Sequence, residues 1–579
     1  MNEKIFFVII FHIFLIINEM NGNEKQTIYK CNHENDEGIN ALPNRVLKLS
    51  PKQKDEQRRR MDSELDSDGF KNFDIYLDLE NIKNDITRYG LQEYEDFFIS
   101  SMTEVVNALK SLLKVKPLEG AYYLRDEDFQ KLGISKWNTE IFGDGDFNIK
   151  NFQNKEIDLA IFGIITDLGE STLASANARA FQLEGNNKGQ PYVGVVTING
   201  NIDYSLKNSK EYFKHILIHE FTHILGFSKY FFETFYHNYY TKEDKGILRS
   251  YLNSTKLLEV AKKYYNCPTI EGIELENYGG NGTEGSHWEA RILLGEYMNG
   301  FSYMEEQVIS EFTLAVLEDS GYYKPNYYTG GLMRFGKHKG CEFLEEKCID
   351  SNTHKTNEKF ENEFFDSIIS DRNIDASCSS GRQSRTYKIF DQIPDIPEEY
   401  IYFANREITG YPPADYCPIF QNIVHEEDNS YFSSHCSEIG FDSYGFALDY
   451  QINNFDSTSG ALIGKTGESL SDHSFCFLSS LTKNSFSDSH FISNFFRANC
   501  YEIFCSERSL TLKIFDDYIV CPRQGGNIYV EGYNGYLLCP DYNLICSGTV
   551  ICNDIFDCID KKSEIKDKDY IYDYEIKTT

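Results

Sequence analysis

Two histidines and a glutamate in the stretch His219-Glu220-Phe221-Thr222-His223 have the spacing of a metal-binding motif. In a helix, side chains four positions apart lie on one face, so both imidazoles can hold a single zinc ion. Glu220 lies between them in the sequence, and its carboxylate can act as a general base toward a water on the metal. Because so short a motif also arises by chance, the alternative is a buried helix with incidental histidines.

A third histidine, His215, stands one helical turn before this pair. Three histidines spread over that length span about 12 Å of helix, whereas a zinc–nitrogen bond is about 2.1 Å, so one ion cannot take all three. We therefore expect His219 and His223 to bind the metal and His215 to be packed or partly solvated.

A catalytic zinc also needs a third protein ligand and one open position. Gly226 is expected to end the helix in a left-handed turn and to lead the chain back under the metal. A ligand three residues after this glycine would be at position 229, but Lys229 cannot serve. The residues leave two routes open: a glutamate such as Glu243, or a distant histidine such as His287.

The helix that carries the motif is predicted to span 209–226 and to be buried, because apolar residues occupy most of its faces. A strand at 192–199 precedes it, and the apolar run at 158–166 predicts another strand. Further elements are predicted as a strand from Ile75 to Leu79, a helix over 91–116, an amphipathic segment over 256–265 and a helix over about 305–319.

The chain beyond Gly330 differs in composition. Of the 15 cysteines, 13 lie between Cys341 and Cys558, among short aromatic-rich segments and turn residues. This pattern predicts a disulfide-bonded, mostly β domain in an oxidising compartment. The formal charge of −33 would repel a phosphate backbone, so we expect no nucleic-acid partner.

The N-terminal residues predict export. Ile5 to Ile17 form an apolar run that is shorter than the roughly 20 residues of a membrane span and typical of a signal peptide, which we assign to residues 1–22. The polar residues 23–69 predict a pro-segment, in which Arg58 to Arg60 form either a processing site or part of a charged linker. Since no later segment could span a bilayer, we expect a secreted protein without a transmembrane segment in the mature chain.

Three sequence motifs, HEFTHILGF, SHWEAR and GEYMNG, resemble the leishmanolysin family of metzincin metallopeptidases. In that family a long insertion separates the glycine after the histidine pair from the third histidine. The resemblance covers about Phe73 to about Gly548 and includes the settings of Cys341 and Cys417. It implies an α+β fold, with a metzincin-type catalytic domain of a twisted sheet plus the active-site helix, and a cysteine-rich, mostly β C-terminal domain.

The resemblance also implies a division of the chain. Residues 70–226 form an N-terminal catalytic subdomain that ends in the zinc-binding helix. Residues 227–330 form a central subdomain with the third zinc ligand, and residues 331–579 form the C-terminal domain.

Site roles follow from the same resemblance. His219, His223 and His287 are implied as the zinc ligands, and Glu220 as the general base and later the proton donor. Met298 is implied as the residue of the Met-turn, a hydrophobic floor beneath the ligands. Met304 is the nearby rival for that role.

The odd number of cysteines predicts one thiol with a special use. Cys31 lies alone in the predicted pro-segment, and without it 14 cysteines remain for seven disulfides. The resemblance implies that Cys31 holds the precursor latent, with its thiolate at the open metal position. The alternative is a disulfide from Cys31 to Cys267 or another cysteine.

The sequence therefore predicts a secreted, zinc-dependent endopeptidase that acts as a monomer on protein or peptide substrates. Sequons at Asn253 and Asn281 predict a glycoprotein. One alternative is a catalytically vestigial, cysteine-rich adhesion protein that is secreted or held at the cell surface. Another is an aminopeptidase-type hydrolase with a glutamate as the third ligand.

Overall fold

The computed structural model describes residues 29–30 and 65–546 apart from gaps, of which the longest are 135–146, 149–156, 205–209, 328–332, 367–375, 437–465 and 484–496. Several predicted features lie outside the described residues: the signal peptide at 1–22, Cys31, Arg58 to Arg60, the Asn281 sequon and Met304.

The first part of the chain combines short strands with helices. In chain order its elements are β1 (Tyr29–Lys30), β2 (Lys71–Asn72), β3 (Ile75–Asp78), α1 (Glu80–Tyr89), α2 (Glu95–Leu112), β4 (Leu113–Val115), β5 (Tyr123–Leu124), α3 (Asp126–Lys131), β6 (Phe147–Asn148), β7 (Leu159–Thr166), β8 (Ala174–Phe181) and β9 (Pro191–Asn199).

A four-stranded sheet with the order β3-β7-β9-β8 forms the centre of this part. Strands β3, β7 and β9 are parallel, and β8 pairs antiparallel with β9 at one edge. The apolar sequence of β7 is buried along almost its whole length, as expected for a strand in the middle of a parallel sheet.

Helix α4 (Lys210–Ile224) follows this sheet and packs on it. Gly194 in β9 allows a close approach, because a Cβ there would overlap the side chain of Ile224. Phe213, Leu217 and Phe221 on the helix are buried in the main core. The predicted buried helix after a strand is thereby confirmed.

The middle of the chain carries smaller elements around a helix pair. In chain order these are α5 (Lys229–Phe231), β10 (Tyr239–Asp244), β11 (Ile247–Leu252), α6 (Thr255–Tyr265), β12 (Ile273–Leu275), α7 (Ala290–Leu293), β13 (Phe301–Ser302), α8 (Glu311–Asp319) and β14 (Tyr323–Pro325). Helices α6 and α8 pack together, with the rings of Tyr264 and Phe312 4.9 Å apart. Strand β13 pairs antiparallel with β1 from the predicted pro-segment.

Two predicted helices are too long. The helix predicted over 91–116 ends at Leu112, because Leu113–Val115 leaves it to form strand β4 between β2 and β14. The helix predicted from about Glu305 begins at Glu311. Ser310 is the N-cap that sets this start: its hydroxyl accepts a hydrogen bond from the backbone N–H of Phe312 in the first turn of the helix.

The last part of the chain is mostly β. Its elements in chain order are α9 (Cys341–Glu345), β15 (Ala376–Cys378), β16 (Arg385–Lys388), β17 (Asp391–Gln392), β18 (Ile408–Thr409), β19 (Phe420–Gln421), β20 (Val424–Glu427), β21 (Ser430–Ser433), β22 (Ser474–Ser479), β23 (Thr482–Lys483), β24 (Arg497–Cys505), β25 (Leu510–Ile514), β26 (Asp517–Cys521), β27 (Gly526–Ile528), β28 (Tyr533–Asn534), β29 (Leu537–Cys539) and α10 (Tyr542–Ile545). The largest sheet here has six strands in the order β26-β25-β24-β22-β29-β27.

Disulfides join this part to itself and to the middle of the chain. The described residues contain six: Cys267–Cys341, Cys348–Cys417, Cys378–Cys476, Cys436–Cys500, Cys505–Cys546 and Cys521–Cys539. Cys267 is thus paired with Cys341, which leaves it unavailable to Cys31. The α+β class and the disulfide-rich, mostly β character of the last part are confirmed.

The main hydrophobic core runs from Phe73 to Phe420 and includes the helix α4. A separate core holds buried residues between Phe477 and Ile545. Among the described residues, no helix has both the length and the apolar character needed to cross a bilayer.

Candidate metal centre

His219 and His223 lie one turn apart on α4, and both side chains are buried. Their ring centroids are 4.8 Å apart, and their Nε2 atoms are separated by 3.1 Å. Glu220 lies between them on the same helix and is only 2% exposed. The spacing of the motif therefore brings the two imidazoles together as predicted from helix geometry.

Gly226 turns the chain back after α4. Its φ of +103° is a backbone conformation that residues other than glycine rarely adopt. The reversal brings the carbonyl oxygen of Phe227 to 2.6 Å from Nδ1 of His223. The residue expected to end the helix thus also completes a hydrogen bond to the histidine before it.

His287 reaches the same place from a loop between β12 and α7. Its ring centroid is 5.2 Å from that of His219 and 5.0 Å from that of His223, and its side chain is fully buried. The backbone N–H of Lys229 donates to Ser286 Oγ at 3.0 Å, which ties the loop to the start of α5. One potential ligand atom from each histidine lies within 4.8 Å of the others.

All three rings direct Nδ1 at a main-chain carbonyl oxygen, belonging to Tyr297, Phe227 and Thr283 for His219, His223 and His287 respectively. Since a carbonyl oxygen only accepts, each Nδ1 must donate, and Nε2 of a neutral ring then presents a lone pair. Burial lowers the pKa of His219 to about 4, so that ring is neutral at neutral pH. Lone pairs that converge in a buried space suit a divalent metal ion.

The other predicted site residues differ in where they lie and in how deeply they are buried. Met298 is fully buried in the turn 295–298, whose Tyr297 contacts His219. His215 is partly exposed one turn earlier on α4, and Glu243 is exposed on β10. Neither His215 nor Glu243 belongs to the histidine group. The roles of Glu220, Met298 and Cys31 stay predictions.

Sequence reasoning missed several residues that hold the histidines. Tyr297 accepts from His219 through its carbonyl oxygen, and its hydroxyl is 3.0 Å from Thr222 Oγ1 on α4. Gly300 lies against His287, since a Cβ there would be 3.2 Å from the ring. The only signal for these contacts was their position in the same GEYMNG motif as Met298.

A second group of buried charged residues was also missed. Glu274, Glu289 and Asp415 bring their carboxylates together. Arg249 Nη1 contacts Glu274 and lies 2.8 Å from Asp415 Oδ2, and Arg291 Nε is 3.5 Å from the same oxygen. Because guanidinium groups already supply the positive charge, this group is an ion network that joins the middle of the chain to its last part.

Comparison with known sequences agrees with the geometry. A family model described as Peptidase_M8, leishmanolysin, matches residues 155–552. The chain is 31% identical over 239 residues to the leishmanolysin homolog of Crithidia fasciculata, an alignment that covers 40% of this chain and 34% of that protein.

Two further matches extend the likeness, one longer and one from an animal. Leishmanolysin of Leishmania major is 25% identical over 439 residues, covering 72% of this chain and 65% of that protein. A leishmanolysin-like peptidase of Caenorhabditis elegans is 32% identical over 209 residues, covering 32% of this chain and 30% of that protein. The alignments thus span between about a third and two thirds of these relatives' own lengths.

Proposed function

From the premise that this chain belongs to the leishmanolysin family of metallopeptidases, we propose that it is a zinc-dependent endopeptidase. In this proposal His219, His223 and His287 are the metal ligands and Glu220 is the general base. The observation that carries it is the convergence of three buried imidazoles whose Nδ1 atoms are all engaged by carbonyl oxygens.

The donor set suits zinc, because three imidazoles with an open fourth position are one of its usual catalytic environments. When bound, such an ion supplies Lewis acidity, which makes water a stronger nucleophile at neutral pH and stabilises negative charge on a carbonyl oxygen. The histidines supply the remaining geometry, since their hydrogen bonds to main-chain carbonyls fix the rotation of each ring.

Glu220 performs the proton transfers in the proposed reaction. Its carboxylate accepts a proton from the attacking water as the oxygen bonds to the peptide carbonyl carbon. The protonated side chain then delivers that proton to the leaving amine nitrogen as the carbon–nitrogen bond breaks. Burial of Glu220 at 2% exposure limits exchange of this proton with bulk water.

Strand β8 supports an extended peptide as the substrate. It is the edge strand of the central sheet, it pairs only with β9 among the described strands, and it lies against α4. An unpaired strand edge can bind an extended chain through main-chain hydrogen bonds, which do not depend on sequence. A polypeptide laid along β8 would pass the helix that carries the histidines, as cleavage within a chain requires.

Metal content measured beside casein cleavage tests the proposal, with wild type and Glu220→Gln compared after removal of the pro-segment. We expect both proteins to hold about one zinc ion per chain and the variant to lose at least ~100-fold in cleavage rate, the range of general acid–base catalysis. Near-wild-type cleavage by Glu220→Gln would refute the role of Glu220. Metal-loaded wild type without cleavage would favour the vestigial adhesion protein.

We further propose that the protein is secreted as a precursor. The six disulfides support an oxidising compartment, and exposed Asn253 at the end of β11 is accessible to glycosylation. In this proposal residues 1–22 direct export, and residues 23–69 are removed from a catalytic part with subdomains 70–226 and 227–330. Residues 331–579 then form the C-terminal domain.

A further inference from the structure

Glu296 places a carboxylate in the turn next to the histidines, where it is 1% exposed. Its Oε2 accepts a hydrogen bond from the backbone N–H of Met298 at 2.5 Å. Its Oε1 accepts from Ser310 Oγ at 2.7 Å and from Thr313 Oγ1 at 2.6 Å. Three donors from two segments of the chain therefore converge on one buried side chain.

The turn that Glu296 holds contacts both segments that carry histidines. The carbonyl oxygen of Tyr297 accepts from Nδ1 of His219 on α4. The carbonyl oxygen of Met298 accepts from the backbone N–H of Trp288, the residue after His287. A shift of this turn would therefore move the acceptor of one histidine and the neighbour of another.

The same carboxylate connects the turn to its surroundings. Ser310 is the N-cap of α8, so Glu296 lies at the positive end of that helix. Thr313 Oγ1 donates to Glu296 and accepts from Trp288 Nε1 at 2.8 Å. One ionised group thus fixes the turn against α8 and against the loop of His287.

We propose that Glu296 is a positioning residue of the metal centre: its ionised carboxylate holds the turn so that the Tyr297 carbonyl orients the ring of His219. This inference rests on the proposed metal site. Glutamine is not equivalent to Glu296, because its single acceptor oxygen leaves either the Met298 N–H or the two hydroxyls without their acceptor.

A purely structural role explains the group less well. Burial raises the pKa of Glu296 to about 7, against the effect of its three hydrogen bonds, so the ionised form costs stability. Ser310 and Thr313 could be satisfied by a neutral acceptor without that cost. A group that holds the hydrogen-bond partner of a metal-binding histidine in place, in contrast, supports metal binding, and loss of such outer partners usually weakens it.

The test uses the processed full chain at pH 8, where Glu296 is ionised. Zinc affinity is measured by competition with a chelating dye, and Co²⁺ replaces zinc to report ligand geometry through its visible absorption bands. For Glu296→Gln we expect the zinc dissociation constant to rise ~10–100-fold and the cobalt bands to shift. Unchanged affinity and unchanged bands would overturn the proposal.

Two further variants keep the result interpretable. Glu363→Gln alters another buried carboxylate, which pairs with Lys339, and should leave both metal readouts at wild-type values. Thr313→Val removes one donor to Glu296 with little change of shape. It should shift the cobalt bands in the same direction as Glu296→Gln does, but by a smaller amount. If Glu296→Gln does not fold, this variant decides: wild-type bands in Thr313→Val overturn the inference.

The outcomes separate this inference from the proposed function. If wild type neither binds zinc nor cleaves casein, the metalloendopeptidase proposal fails, and the role of Glu296 fails with it. If wild type does both and Glu296→Gln matches it in affinity and spectrum, only the positioning role is overturned.

Discussion

Each histidine of the candidate centre is held by a hydrogen bond from its Nδ1 to a main-chain carbonyl oxygen. Main-chain acceptors belong to the fold itself, so the rotation of each ring depends on how firmly the backbone that carries its acceptor is held. The directions of the three Nε2 atoms are consequently fixed by the backbone of α4, of the turn after it and of two loops. Loss of one ring should therefore affect the metal much more than the fold.

We expect His287→Ala to lose zinc and casein cleavage together, because two imidazoles on one helix leave too few ligands for a tight site. Metal analysis after dialysis and a cleavage assay measure both. His215→Ala is the matched control, since His215 lies one turn before His219 and outside the histidine group, and it should keep both properties. Retained zinc and activity in His287→Ala would instead favour a glutamate ligand.

How much of this centre the sequence predicts depends on the distance between its parts. The pair His219 and His223 follows from helical spacing alone, because the geometry is local. His287 could be assigned only through resemblance, since no periodicity connects residues so far apart in the chain. Tyr297 and Glu296 act through a carbonyl oxygen and a buried carboxylate in a turn, which no spacing rule singles out.

Titration of Glu296 should appear in the stability of the metal-free protein. Its pKa is raised from 4.5 to about 7 by burial, so its contribution to stability is fully present below pH 4.5 and is lost as the pH rises through 7. The loss is on the order of 3 kcal/mol. Urea unfolding at pH 5 and pH 8 should show most of this decrease in wild type.

The Gln variant isolates that effect. Glu296→Gln cannot titrate, so its unfolding free energy should fall by about 2.5 kcal/mol less than that of wild type between the two pH values. The comparison uses the change with pH and not the absolute stability, because the amide also disturbs the hydrogen bonds. The same pH dependence in both proteins would contradict a raised pKa at Glu296.

Among the elements, the ends were harder to predict than the centres. Helix α2 was placed correctly from its apolar period, but its C-terminal end depends on strand β4 pairing with β2 and β14. Helix α8 begins where Ser310 caps it, a residue that also donates to Glu296. The first boundary is set by strand pairing with distant segments, which the local pattern does not contain, whereas the second is set by a local cap that the apolar period does not show.

The pairing of β1 with β13 bears on latency. Tyr29 and Lys30 lie opposite Ser302 and Phe301, and Gly300 just before them lies against His287. The backbone immediately before Cys31 therefore runs beside the wall of the metal centre. Strand pairing therefore holds this segment of the precursor close to the histidines.

We expect a Cys31→Ser precursor to cleave casein before its pro-segment is removed, because serine is a much weaker metal ligand than a thiolate. Wild-type precursor should stay inactive until processing, and both proteins should be equally active afterwards. Cleavage assays before and after processing measure this. A Cys31→Ser precursor that stays fully latent would show that strand pairing alone blocks the site.

On the scale of the whole molecule, two kinds of link join the middle of the chain to its last part. One is the disulfide Cys267–Cys341. The other is the ion network, in which Arg249 from β11 contacts Glu274 on β12 and Asp415 from the last part. Burial raises the pKa of Glu274, whereas Arg249 and Arg291 hold the pKa of Asp415 below its usual value despite burial, so the network depends on its guanidinium groups.

Removing one guanidinium should therefore destabilise the molecule strongly. For Arg249→Met we expect a loss of about 3–5 kcal/mol in unfolding free energy, because the substitution removes the nearer of the two counter-ions of the buried carboxylates. Arg406→Met is the control: its pair with Glu398 is exposed, so the change should stay below about 1 kcal/mol. Urea unfolding of the metal-free proteins measures both. Equal losses in the two variants would mean that the buried network contributes no more than a surface pair, and that the disulfides and apolar core hold the two parts together.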